Sequence, residues 1–181
     1  TNSSAVWYVA LNTRHPALKD KRVRQALNYA VQKEAIIRDI LKGTAIVATT
    51  PLSPVYGPYH EDKTVRYPYD PEKAKALLKE AGFANGFDVT FFVPESGSGM
   101  QSPVEMGTVI QANLAAVGVR AKIQTMEWGA YLKKYLDAPD MAEMSWNPSI
   151  GDPDHMMYML LSSDRFPPAF NAGFYQNPRV D

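Results

Sequence analysis

Residues 141–161 hold the side chains best suited to bind a small polar ligand. Apolar residues there predict a short strand that ends at Trp146, and an apolar helix pattern begins after Asp152. Open α/β sheets bind ligands where a strand leads into a loop at a helix N-terminus, because free backbone N–H groups collect there. The predicted contacts in this loop are Trp146, Asn147, Ser149 and the backbone around Gly151. The plain alternative is an ordinary connection between a strand and a helix.

A second candidate loop, residues 94–102, is rich in glycine and serine. It is not a phosphate-binding loop, because no Gly-Lys-Ser/Thr follows the glycines. A backbone of this kind can approach a ligand closely with its amide groups, and plain flexibility is the alternative. The predicted contacts from this loop are Gly97, Ser98 and Met100.

The acidic residues at the start of the 153–161 helix suit capping better than metal binding. Aspartate before proline is a favourable helix start, since the carboxylate accepts from free N–H groups and proline fits the first helical position. Asp152, Asp154 and His155 match no common metal-ligand spacing, and a proline interrupts them. We therefore predict no metal ion and no cofactor.

Catalysis remains as an alternative function. The sequence has no cysteine, which excludes thiol catalysis, and no nucleophile-elbow pattern accompanies its three histidines, His15, His60 and His155. A hydrolase that uses a loop histidine is one rival interpretation. A partner-binding domain without a small ligand is another.

The composition indicates a globular domain with its own core. The chain has 181 residues, of which 45% are hydrophobic and 21% charged. Lys plus Arg equals Asp plus Glu at 19 each, so no basic field is available to hold nucleic acid. No apolar run approaches the roughly 18 residues that a membrane-spanning helix needs.

Hydrophobic periodicity predicts an α/β fold. Asp20 and Asp70-Pro71 are predicted to start two of the helices, and glycines end several of them. The proline-rich segment 49–68 is predicted to be an irregular loop, with the lining of a ligand cleft as an alternative role. Predicted strands cover residues 6–11, 89–93, 119–125 and 141–146, and predicted helices cover residues 21–30, 36–41, 71–81, 104–117, 128–137 and 153–161.

The strand, helix and strand between residues 89 and 125 have the lengths of a βαβ unit. Its two strands should be parallel and its crossover right-handed. Loop 94–102 then lies at the carboxyl end of its strand, as loop 147–152 lies after its own. If these strands are parallel neighbours, the two loops flank one crevice.

Several motifs in order resemble the solute-binding proteins of peptide-type ABC importers, a family that includes dipeptide, oligopeptide, nickel and glutathione binders. The similarity covers nearly the whole chain, and its strength lies in the order of motifs that are each weak. The motifs are VRQALNYA at 23–30, YDPEKA at 69–74, EW at 127–128, SW at 145–146, GDPD at 151–154 and NP at 177–178.

The resemblance implies one lobe of a two-lobed periplasmic-binding-protein-like fold, with a mixed sheet and flanking helices, that closes on its ligand against a second lobe. It also implies a periplasmic or membrane-anchored extracytoplasmic location and membrane permease subunits as partners. The sequence matches the lobe built from the later part of such receptors. We therefore expect the first lobe to lie outside residues 1–181.

Two positions depart from the dipeptide-binding pattern that the resemblance implies. Ser149 stands where an acid would hold the peptide amino group, and Gly97 stands where an arginine would hold the carboxylate. The 167–175 segment and Ser149 are more similar to the glutathione-binding branch. We predict a non-enzymatic protein that captures a small peptide or peptide-like solute. The predicted ligand-binding residues are Trp146, Asn147, Ser149, Gly97, Ser98, Met100, Asn12 and Asn171.

Overall fold

The computed structural model describes residues 4–60, 66–147 and 152–181. The described residues form four strands and six helices; three helices follow the first strand, and strands and helices alternate after them. The strands are β1 (Val6–Leu11), β2 (Phe87–Pro94), β3 (Val119–Met126) and β4 (Met141–Trp146). The helices are α1 (Lys21–Ala30), α2 (Lys33–Ala35), α3 (Pro71–Glu80), α4 (Pro103–Ala115), α5 (Trp128–Leu136) and α6 (Pro153–Leu161), with short 3-10 turns at Pro54–Tyr59 and Ser163–Arg165.

The four strands form one mixed sheet in the order β1-β4-β2-β3. β2 and β3 pair in parallel from Phe87↔Val119 to Pro94↔Met126, joined by the crossover through α4, which confirms the predicted βαβ unit. β2 also pairs in parallel with β4, and β1 pairs antiparallel with β4. The α/β fold class is therefore confirmed, and the order of the strands places the ends of β2 and β4 side by side.

Helices α1, α3 and α6 begin directly after the capping residues that the sequence predicted. Asp20 accepts a hydrogen bond from Arg22 N, Asp70 from Lys73 N and Asp152 from Asp154 N. Proline occupies the first position of α3 and α6, where its missing N–H costs nothing. The predicted helix over 36–41 differs, since α2 passes into a π-helical turn at Ile36–Ile40.

The sheet separates two apolar clusters, because successive side chains of a strand point to opposite faces. On one face, β2 and β3 pack against α1, α3 and α4, with Phe91, Val23 and Leu78 almost completely buried. On the other face, Tyr131 and Tyr135 of α5 pack against β4. Met141, Met144 and Met156 are also buried.

In its described parts, residues 49–60 and 66–68, the proline-rich segment is irregular as predicted, apart from the 3-10 turn at Pro54–Tyr59. It is tied to the helices where Lys33 Nζ donates to the carbonyl of Tyr67 at 3.0 Å. Within the described residues, no helix is long and apolar enough to cross a membrane.

Candidate functional site

At the carboxyl edge of the sheet, the two strands that lead into the predicted ligand loops end side by side. β2 and β4 are parallel neighbours, so the loop after β2 and the loop after β4 leave the sheet at the same edge. Asn147 follows β4 directly, and its Oδ1 accepts from Ser4 Oγ at 2.7 Å. The predicted contacts Ser149 and Gly151 lie outside the described residues. The expected parallel pairing of these two strands is therefore confirmed, and a crevice between the two loops stays a prediction.

Trp146 is held by aromatic packing from the C-terminal part of the chain. Phe170 meets the indole nearly edge-on with ring centroids 5.3 Å apart, and His155 lies 5.7 Å away at an interplanar angle of 36°. The indole Nε1 and His155 Nδ1 are buried, and neither has a hydrogen-bond partner within the described ranges. The indole is thus fixed in orientation, half-buried and with a free donor.

The loop after β2 has an unusual backbone. Gly97, Ser98 and Gly99 all have positive φ, at 122°, 50° and 71°. Ser98 is tied to β4 through hydrogen bonds with Ser145, and Met100 is buried with its N–H donating to Gly97 O at 3.0 Å. This loop is therefore shaped by specific contacts, and the alternative of plain flexibility does not describe it.

Trp128 is a residue of this edge that the sequence interpretation missed. It begins α5 directly after β3, and its ring stacks on Tyr131 at 5.6 Å and 13°. Its ring also lies directly against Gly97, where an added Cβ would be 2.3 Å from Trp128 Cδ2. The available signal was a tryptophan immediately after a predicted strand, at the same edge as Trp146.

The two predicted asparagines form hydrogen bonds within the protein. Asn12 follows β1 at the end of the sheet opposite Trp146, and its Nδ2 donates to Ala138 O at 2.9 Å. Asn171 is 1% exposed, and its Nδ2 donates to Ser162 O at 2.9 Å and to Tyr175 O. Its Oδ1 accepts from Tyr175 N. Ligand contacts from these two residues stay predictions, and their described role is to hold loops in place.

A buried carboxyl lies close to the site on β4. Glu143 is 3% exposed, and its Oε2 has no hydrogen-bond partner among the residues that the structure describes. Burial raises the pKa of Glu143 from its ordinary value of 4.5 to about 8. At neutral pH this side chain is mostly neutral, so it contributes little negative charge to the edge of the sheet. Groups of three or more potential metal-binding side chains are absent from the described ranges.

Comparison with protein families decides what class of protein carries this site. The family described as bacterial extracellular solute-binding proteins, family 5 (middle), matches residues 1–168. The chain belongs to this family. Membership confirms the predicted family resemblance, and a family described as solute-binding favours the predicted non-enzymatic role over the hydrolase alternative.

Individual relatives share this similarity. The chain is 42% identical over 159 residues to the dipeptide-binding protein of Escherichia coli (strain K12), covering 87% of this chain and 30% of the relative. It is 35% identical over 185 residues to the glutathione-binding protein of Pectobacterium atrosepticum, covering 96% and 34%. The chain thus spans about a third of the length of these relatives.

Solved structures show the same architecture. A periplasmic binding protein of Helicobacter pylori in complex with the peptide STSA superimposes with a TM-score of 0.90 at 34% identity, covering 98% of this chain and 34% of that chain. The HbpA2 structure from Haemophilus parasuis gives 0.91 at 31% identity, covering 99% and 35%. The predicted periplasmic-binding-protein fold is therefore confirmed.

Proposed function

We propose that this protein captures a small peptide or a peptide-like solute such as glutathione for an ABC importer. The observation that carries the proposal is the meeting of two features at one edge of the sheet. Trp146 offers an apolar face, and residues 97–99 offer backbone N–H groups without an acceptor in the described part of the chain. An apolar wall with a few convergent donors suits an uncharged or anionic peptide backbone.

The proposal includes a second lobe and membrane partners. An edge of one sheet covers a ligand from one side only, whereas binding pockets typically bury roughly 70–90% of a small ligand's surface. The opposite wall would come from the first lobe of the complete gene product, and permease subunits would receive the solute. A periplasmic or membrane-anchored extracytoplasmic location follows from this role.

The identity of the solute rests on side chains that differ from a dipeptide clamp. The loop at residues 94–102 carries no arginine to pair with a carboxylate, and Ser149 offers no charge to an ammonium group. A charge-assisted hydrogen bond is worth roughly 1.5–3 kcal/mol. A simple dipeptide should therefore lose this contribution at both of its ends. The similarity of Ser149 and the 167–175 segment to the glutathione-binding branch supports glutathione as the solute, although relatives named for either ligand are similar to this chain.

Calorimetric titration of the complete gene product tests this proposal. Glutathione and the dipeptide Met-Leu are titrated separately, and we expect glutathione to bind at least ten times more tightly. Tighter binding of the dipeptide would show that another acid replaces the missing clamp. Failure of both peptides to bind would refute the proposed solute class.

The same titration tests the position of the site. Trp146→Ala should raise the Kd for glutathione roughly tenfold, because an aromatic contact contributes about 0.5–1.5 kcal/mol beyond its buried area. The matched control is Tyr158→Ala, which removes an exposed aromatic side chain from α6. An unchanged Kd with an unchanged circular dichroism spectrum would remove Trp146 from the site.

A further inference from the structure

The end of β4 extends past its neighbour in the sheet. β1 pairs with β4 along its full length, from Val6↔Trp146 to Leu11↔Met141. On the other side, β2 pairs with β4 only through Phe91↔Met141 and Phe92↔Ala142. The last residues of β4 therefore face the loop that follows β2, and no strand of the described ranges pairs with them on that side. Their backbone polar groups must find partners in that loop.

Ser145 makes the connection between β4 and that loop. Its hydroxyl donates to the carbonyl of Ser98, and Ser98 Oγ donates to the carbonyl of Ser145 at 3.1 Å. The two hydroxyl oxygens also lie 2.8 Å apart. Each hydroxyl has one proton, so two of these three contacts carry a hydrogen bond at once. Ser145 is 2% exposed, which limits competition from water.

This pair holds a backbone that a serine does not favour. Ser98 has a φ of 50°, in the left-handed region that side chains with a Cβ rarely adopt. The neighbouring glycines also have positive φ, and within the described ranges a bond from Met100 N to Gly97 O closes a turn with Ser98 and Gly99 at its centre. This turn bond and the contacts to Ser145 are the described interactions that hold Ser98 in the left-handed region.

The held conformation leaves donors free. The backbone N–H groups of residues 97, 98 and 99 have no acceptor within the described ranges, and these residues are at least partly exposed. They are adjacent to Trp146 through Ser145, the preceding residue of β4. One strand end thus fixes both the aromatic wall and the donor loop.

We propose that Ser145 is a positioning residue for solute binding. Its paired hydrogen bonds with Ser98 hold residues 97–99 so that their N–H groups can donate to a carboxylate or carbonyl oxygen of the solute. This inference rests on the proposed function. The N–H groups of residues 97–99 supply the hydrogen bonds that the missing arginine would have donated. Ser145 itself is buried beneath the loop and acts through Ser98.

Nuclear magnetic resonance of the full chain tests, without any ligand, whether the hydrogen bonds between Ser145 and Ser98 hold the loop; this pair is called the serine clamp below. Ser145→Ala should move the Ser98 Cα and Cβ chemical shifts away from left-handed values and speed hydrogen exchange at the Met100 amide about tenfold. Ser145→Cys keeps a weak donor of similar shape and should fall between the two. The matched control is Ser162→Ala, another buried serine whose hydroxyl accepts from Asp164 N in a different loop.

Titration of the complete gene product with glutathione tests the role in binding. Ser145→Ala should raise the Kd about tenfold, Ser145→Cys less, and Ser162→Ala should leave it unchanged. Unchanged Ser98 shifts in Ser145→Ala would reject the serine clamp even if glutathione binds, and the proposed function would stand. Altered shifts with an unchanged Kd would reject the positioning role. If Ser145→Ala alters the Ser98 shifts but the unmodified protein binds no peptide, the proposed function is rejected and the role of Ser145 in holding Ser98 remains supported.

Discussion

Glu143 is the side chain whose setting departs most from its ordinary chemistry. It lies on β4 opposite Val9 of β1. Its carboxyl group packs against Gly107 of α4, where an added Cβ would lie 3.3 Å from Glu143 Oε2. Tyr131 of α5 donates to its backbone carbonyl, and no cationic group compensates its charge among the described residues. Removal from water therefore favours the neutral acid.

The buried acid makes stability depend on pH in a predictable direction. The folded-state pKa of about 8 lies above the ordinary value of 4.5, so the folded state keeps a proton that the unfolded state loses between these values. The free energy of unfolding should therefore fall as pH rises through this window, by on the order of 4–5 kcal/mol in total. Glu143→Gln should remove that part of the slope.

Urea unfolding at pH 5, 6.5 and 8 measures this effect. The difference between the unmodified protein and Glu143→Gln isolates the contribution of this carboxyl from those of all other groups. Glu105→Gln is the control, since Glu105 is exposed on α4. A pH slope that is the same in Glu143→Gln and in the unmodified protein would show that Glu143 is ionised in the fold.

Two glycines set the close packing at the start of the βαβ unit. Gly86 precedes β2 and Gly118 precedes β3, and both have positive φ. A Cβ on Gly86 would lie 1.7 Å from the carbonyl oxygen of Gly118, which is backbone and cannot rotate away. The parallel pairing that aligns Phe87 with Val119 begins directly after this contact.

Gly86→Ala should therefore destabilise the fold far more than Gly82→Ala. Gly82 also has a positive φ, 88° against 71° for Gly86, but an added Cβ there would meet nothing within 4 Å. The cost of left-handed backbone is thus shared, and the difference reports the clash, which we expect to cost about 1–3 kcal/mol or more. Urea denaturation of both variants measures it. If the two variants lose the same free energy of unfolding, the turns at Gly86 and Gly118 can move apart at little cost to make room for the added Cβ.

At the scale of the molecule, the described residues form an apolar cluster on each face of the sheet, and the proposed site lies at one edge of that sheet. Both faces of the sheet are covered by helices, and α1, α3, α5 and α6 have side-chain caps at their N-termini. The chain nevertheless spans about a third of the length of its relatives. We therefore expect this chain to fold without the rest of a longer protein but to need it for tight binding.

The isolated chain should fold but bind glutathione weakly. Helices cover both faces of its sheet, whereas a solute on an open edge makes about half its contacts and still loses its translational and rotational freedom. We expect an affinity lower by roughly two orders of magnitude than that of the complete gene product. Circular dichroism and calorimetry on both proteins measure the two properties. Equal affinity would refute a site shared between two lobes.

The sequence by itself determined the elements and their ends. Asp20, Asp70 and Asp152 predicted helix starts because a cap acts within three residues of its own position. Alternation along β2 and β3 and the length of the segment between them predicted the parallel βαβ unit, which depends on period and connection length alone. The order of weak motifs identified the family, again without any distance in space.

Only the tertiary structure decided which of these parts touch. Ser98 and Ser145 are 47 residues apart, and Trp128 reaches Gly97 from a different strand end. Burial separated the polar side chains by role, leaving Trp146 half-exposed while the amide of Asn171 bonds to its own loop. Hydrogen bonds and packing of this kind depend on where the sheet places distant segments, and no local pattern encodes that placement.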